Sequence, residues 1–146
     1  MTSVVHLARR FLTSLSRRPP PANDTAWALS QLLPAEAELW QRMSVQDRRH
    51  SILVAGRFVE FATSAERAEV AGSLLHDVGK LASGLGTFSR VLATLVGPRT
   101  DRYREYHDHE RLGAEMLVAA GSPSVTIELV QGVGARAAEL RRADGI

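Results

Sequence analysis

The stretch that most restricts how this chain can fold is residues 70–80, Val-Ala-Gly-Ser-Leu-Leu-His-Asp-Val-Gly-Lys. Val70, Ala71, Leu74 and Leu75 recur at helical spacing, so the segment reads as a helix with one buried face. The apolar run ends in a His-Asp doublet, His76 and Asp77, followed by Gly79 and Lys80. An imidazole and a carboxylate side by side at a helix end can both turn toward one divalent ion. That mixed donor set suits zinc, manganese, iron and similar metals. The competing reading of the doublet is a helix cap with a local hydrogen bond. Gly72 and Ser73 lie one turn earlier and leave little bulk between the doublet and a facing helix. Gly79 permits a sharp exit from the helix. Lys80 is the only lysine in the chain, and a compact ammonium beside a metal is placed to hold a phosphate oxygen.

Helical spacing recurs along the rest of the chain and no sustained β-alternation interrupts it. The expectation is an all-α, compact bundle of about seven helices. A length of 146 residues fits one domain with a real core. Residues 1–18 read as an amphipathic arm, with Val4, Leu7, Ala8, Phe11 and Leu15 on one stripe and Arg9, Arg10 and Arg17 largely off it. Packing back onto the body is the favoured expectation for this arm. A membrane-surface or partner-binding helix and a targeting peptide stay open as alternatives. Residues 19–22 form a stiff Pro-rich linker, and 23–146 the domain proper.

Within the domain, Asn23 or Asp24 is expected to cap a short helix carrying Trp27, Leu29 and Leu32. Pro34 opens the next helix, with Leu39, Trp40 and Met43. Both tryptophans read as core anchors. Ser44 is expected to cap a long helix ending near Ala62, with Val54, Phe58 and Phe61 inward. His50 lies one turn before Val54 and continues that inward face, either as a buried hydrogen-bonded histidine or as a metal ligand. Arg49 beside it faces either substrate or solvent. Ser64 is expected to begin the helix that ends at the doublet.

Residues 83–87 read as a turn near the doublet, with Thr87 capping a helix through Leu95, and residues 98–106 as a polar connection. His109, Leu112, Gly113, Met116, Leu117 and Ala120 share one helical stripe, which turns His109 inward and His107 outward. Gly121 to Ser124 is a stop and restart. A last helix then carries Val133, Ala137, Leu140 and Asp144 on one face.

These segments together resemble the HD superfamily of metal-dependent phosphohydrolases. The likeness is carried by Leu-Leu-His-Asp-Val-Gly-Lys at 74–80, Asp-Arg-Arg-His at 47–50, the His109 segment with its Gly113-Ala114, and Ala143-Asp144. It implies an HD-type helical domain in which His50, His76, Asp77 and Asp144 hold one divalent ion (Mn, Zn, Fe, Co or Mg). Asp77 and Lys80 would be catalytic. Lys80, His109 and Arg49 would contact substrate or support the site. The activity implied is hydrolysis of a small phosphate ester, with a nucleoside monophosphate as the model. One departure stands out: residues 128–136 contain no histidine, where many members of the superfamily place one or two. The alternative is therefore a catalytically degenerate HD domain that senses a nucleotide or docks a partner.

Composition narrows the remaining choices. Without cysteine there is no disulfide, thiolate metal site or Cys nucleophile. A net charge of +2 makes no case for nucleic acid. No apolar run approaches a membrane span, so a soluble, cytoplasmic protein is expected. Homo-oligomerisation stays open.

Overall fold

A computed structural model describes residues 18–83 and 109–145. The arm, the connection after Ser83 and His107 lie outside the described residues. What is described is all-α: seven helices of seven residues or more and one extra turn, with no strand among the described residues.

Helix α1 (Ala22–Ser30) starts on Pro21, and neither Asn23 nor Asp24 is its cap. Asp24 sits instead in the first turn, where its charge complements the helix dipole. Leu32 falls beyond its end. Helix α2 (Pro34–Arg42) opens with Pro34 at its first position, as expected, since that N–H would be unpaired anyway. Its Glu36 is wholly buried. The carboxylate is satisfied by the Leu33 N–H at 2.8 Å and the Ser122 hydroxyl at 2.7 Å, which ties α2 to a distant corner.

Helix α3 (Val45–Phe61) is capped by Ser44, whose Oγ accepts the Asp47 N–H at 3.1 Å. Val54 and Phe58 are fully buried, whereas Phe61 is only half-buried. Trp40 is also fully buried, and its indole N–H donates to Ser51 Oγ at 2.9 Å. It is the core anchor the sequence suggested, with its polar handle paired inside.

Helix α4 (Arg67–Leu74) departs from expectation at both ends. It begins where the Glu69 carboxylate accepts the Glu66 N–H at 2.9 Å, and not at Ser64, whose backbone is left-handed (φ 56°). It stops at Leu74, so the doublet lies in tight turns over residues 75–79. Short bonds from Val78 N to Leu75 O and Lys80 N to Asp77 O close those turns. A single turn, α5 (Lys80–Ser83), follows.

Helix α6 (His109–Ala119) ends at Gly121, where φ is 75° and the Ser122 N–H returns to Leu117 O at 3.0 Å. The expected last helix is in fact two, α7 (Ser124–Val130) and α8 (Ala137–Asp144). Gly132 and Gly134 separate them with φ of 76° and 95°, a conformation that costs glycine little. Val133 therefore lies off the helix and is exposed.

Helix α4 packs against α3 on one side and α7 on the other, α8 lies on α3, and α6 packs on α7 and α5. Gly72 sets the α4–α7 approach, since a Cβ there would stand 2.9 Å from Leu129. The core forms two apolar groups. One gathers Trp40, Leu74, Leu75, Val78 and Leu117, and the other Val54, Phe58, Leu129, Leu140 and Ala143. The doublet turn leaves the first of these groups, and Asp144 follows directly on the second.

Candidate metal centre

Asp144 ends α8, whose buried residues are Ala137, Leu140 and Ala143. Position 144 stands seven residues after 137 and four after 140, so it continues the face laid on α3. The Arg57 guanidinium of α3 donates to Ala143 O at 3.4 Å and holds the end of α8 down. On α3, His50 precedes Val54 by one turn. The packing of α8 on α3 thus brings His50 Nε2 to 2.8 Å from Asp144 Oδ1.

His76 arrives from the turn after α4. Its Nδ1 donates to the Ser73 carbonyl at 2.7 Å. A carbonyl only accepts, so Nδ1 keeps its proton and Nε2 is the nitrogen turned to the site. Nε2 is buried and has no hydrogen-bond partner among the described residues. It lies 3.4 Å from Asp77 Oδ2 and 3.5 Å from Asp144 Oδ1, near both carboxylates and too far to bond either well. The His50 and His76 rings meet edge to face with centroids 5.7 Å apart.

Donor atoms of His50, His76 and Asp144 all lie within 4.8 Å of one another. Two imidazoles and one carboxylate from three separate elements could hold a metal ion. A histidine whose outer N–H is fixed by a backbone carbonyl is how proteins orient ligating imidazoles. The Nε2 of His76, buried without a hydrogen bond, is the atom such an ion would satisfy. The donor chemistry fits.

Asp77, expected in the same set, lies beside the cluster. Its Oδ2 accepts from Lys80 Nζ at 2.7 Å, and its Oδ1 is 3.6 Å from His109 Nε2. Lys80 and His109 are therefore both at the site, reached through Asp77. Arg49 is half-buried on α3, about 100° around the helix from His50. The orienting Ser73 carbonyl was not legible in the sequence, where Ser73 stood out only for its size. A backbone acceptor carries no residue signature.

Burial disfavours the charged His76 ring, but the charges of Asp77 and Asp144 outweigh it and raise its pKa to about 9. Burial likewise opposes ionising Asp77 and Asp144. The facing His76, with Lys80 for Asp77 and His50 for Asp144, nevertheless holds both well below the usual carboxylate range. In the metal-free protein His76 is thus protonated at neutral pH. Its stabilising contribution is complete below about pH 6.5 and is lost as the pH rises through about 9. An ion taking Nε2 displaces that proton. Metal affinity should then climb about tenfold per pH unit between roughly pH 7 and 9, measured by competition with a chromophoric chelator. A flat profile over that interval would remove His76 from the ligand set.

Compared with known proteins, the chain matches no family model, no curated protein and no solved structure. No described helix is long and apolar enough to cross a membrane.

Proposed function

We propose that this chain is a metal-dependent phosphohydrolase acting on a small phosphate monoester, built on a domain resembling the HD superfamily. The observation that carries the reading is the convergence of His50, His76 and Asp144, with the buried Nε2 of His76 turned into the cluster. These three would hold one divalent ion, with Asp77 as the fourth candidate beside them. Two imidazoles favour zinc, manganese, iron or cobalt over magnesium, which prefers oxygen. When bound, such an ion supplies positive charge against a phosphoryl oxygen and makes a water more acidic.

The chain's own residues account for the rest. Asp77 stays ionised at working pH and can accept a hydrogen bond from the attacking water, holding it in line. Lys80, 2.7 Å from Asp77, would offset charge as it develops on the phosphoryl oxygens. His109 steadies Asp77 from the opposite oxygen.

Metal analysis of protein purified without an affinity tag, followed by a phosphate-release screen over nucleoside monophosphates and chromatographic detection of cyclic dinucleotide cleavage, tests this directly. About one equivalent of metal and faster turnover of the monophosphates are expected. Lys80→Ala should keep its metal and lose roughly tenfold to a hundredfold in kcat, with a smaller change in KM. Full retention of kcat would return Lys80 to a purely structural partner of Asp77. A second reading has one observation in its favour: residues 128–136 bring no further imidazole to the site. On that reading the domain binds its ligand without turning it over, and metal-loaded protein inert toward every monoester selects it.

A further inference from the structure

Helix α3 gives one side to α4 and another to α8. Two of the four large apolar side chains exposed among the described residues, Leu53 at 49% and Val59 at 43%, lie on its remaining face. Between them is Gly56, where an added Cβ would meet nothing within 4 Å. At about 100° per residue, Leu53 and Val59 stand about 60° to either side of Gly56, so the glycine floors a shallow groove with an apolar wall on each flank. His50 leaves the same helix about 120° from Gly56, which separates the groove from the candidate centre.

A row at i, i+4 spacing runs through this groove: Arg48, Ile52, Gly56 and Glu60. Its order is cation, apolar knob, gap, anion. Neither Arg48 nor Glu60 takes part in an ion pair among the described residues. The Arg48 guanidinium rests 5.8 Å from the Trp40 ring, and its buried Nε makes no hydrogen bond. We infer that this face of α3 is a homodimer interface, on which two copies cross antiparallel about a two-fold axis between Ile52 and Gly56. A second copy is the occupant because the row, turned end for end, is its own complement. Arg48 then meets Glu60 of the second copy, Ile52 sits over its Gly56, and each contact occurs twice, as a two-fold interface requires. The crossing also covers Leu53 and Val59 on both copies, apolar surface that otherwise stays in water. Neither metal nor substrate enters the contact. One helix from each copy makes an interface at the small end of specific ones, so association in the micromolar range follows.

Sedimentation velocity of the full chain over about 1 to 200 µM tests this. The unmutated protein should pass from monomer to dimer with a dissociation constant on the order of 10 µM. Leu53→Glu, a change at a half-exposed side chain, should weaken the dimer about tenfold or more and leave fold and metal content intact. Gly56→Ala separates the interface from the fold. It should raise the melting temperature of the dilute monomer, yet weaken the dimer about tenfold by filling the groove. Glu60→Arg should weaken it about tenfold by setting like charges together, and adding Arg48→Glu to the same chain should restore it. Circular dichroism checks the fold of each variant. Arg48 packs on Trp40, so if the double variant does not fold, Leu53→Glu and Gly56→Ala decide. A monomer over the whole range, or a dimer that Leu53→Glu and Gly56→Ala leave unchanged, overturns the inference.

Discussion

Replacing His76 with alanine should reduce bound metal from about one equivalent per chain to a trace and lower phosphate release by roughly a thousandfold. The expectation comes from how the ring is held. Ser73 O fixes Nδ1 at 2.7 Å, burial fixes the ring plane, and Nε2 is left facing two carboxylates. His50, with 30% of its side chain exposed, borders solvent, and a water could substitute for part of its role. His109→Ala is the informative companion. Its Nε2 lies 3.6 Å from Asp77 and outside the His50–His76–Asp144 cluster, so that variant should keep its metal and lose part of its turnover. Metal analysis of the two variants side by side decides the matter. Equal metal content in both, or two equivalents in the unmutated chain falling to one in His109→Ala, would overturn the single-ion assignment.

Among the described glycines, Gly79→Ala should be the most damaging change of a single methyl group. A Cβ at position 79 would lie within 1.7 Å of His109 O and 2.8 Å of Gly113 N, both backbone atoms that no rotamer can move. The doublet turn would have to lift away from the start of α6. Overpacking of this kind costs about 3 kcal/mol or more, which for a domain of this size lowers the melting temperature by roughly 10 °C. Gly56→Ala is the matching control. Gly56 lies in α3 with nothing within 4 Å of its added Cβ, so the same methyl should stabilise by about 0.5–1 kcal/mol. Thermal unfolding of both variants measures the contrast. Similar melting temperatures for the two would mean that the turn and α6 do not cross so closely.

Gly79 also shows how a residue can be legible while its reason is not. From sequence it reads as the glycine that lets a helix turn sharply. In the structure its φ is not positive, and what it provides is room for the His109 carbonyl. Something similar holds at Asp77, which the doublet pattern puts directly in the ligand set. The fold places it one step aside, between His76, Lys80 and His109, with the doublet in a tight turn after the helix ends at Leu74.

The residues of the chain determine by themselves that it is helical and where several helices begin. Ser44 and Pro34 act through backbone groups within one turn of themselves, and Gly121 through its own left-handed φ, so neighbours in sequence suffice. The inward faces of His50 and Asp144 follow from spacing to Val54 and Leu140 in the same way. Only the tertiary structure decided what depends on distant partners. The restart at Ser124 reads from the sequence as one last helix, yet it divides into α7 and α8. Thr126 bonds Ala68 O at 2.7 Å and Leu129 fills the space over Gly72, a pair three residues apart that only a helix can bury together. The centre itself is the same case. The 2.8 Å between His50 and Asp144 spans 94 positions and exists because α8 lies on α3. Spacing can turn each side chain inward, but their meeting depends on how helices far apart in the chain pack together.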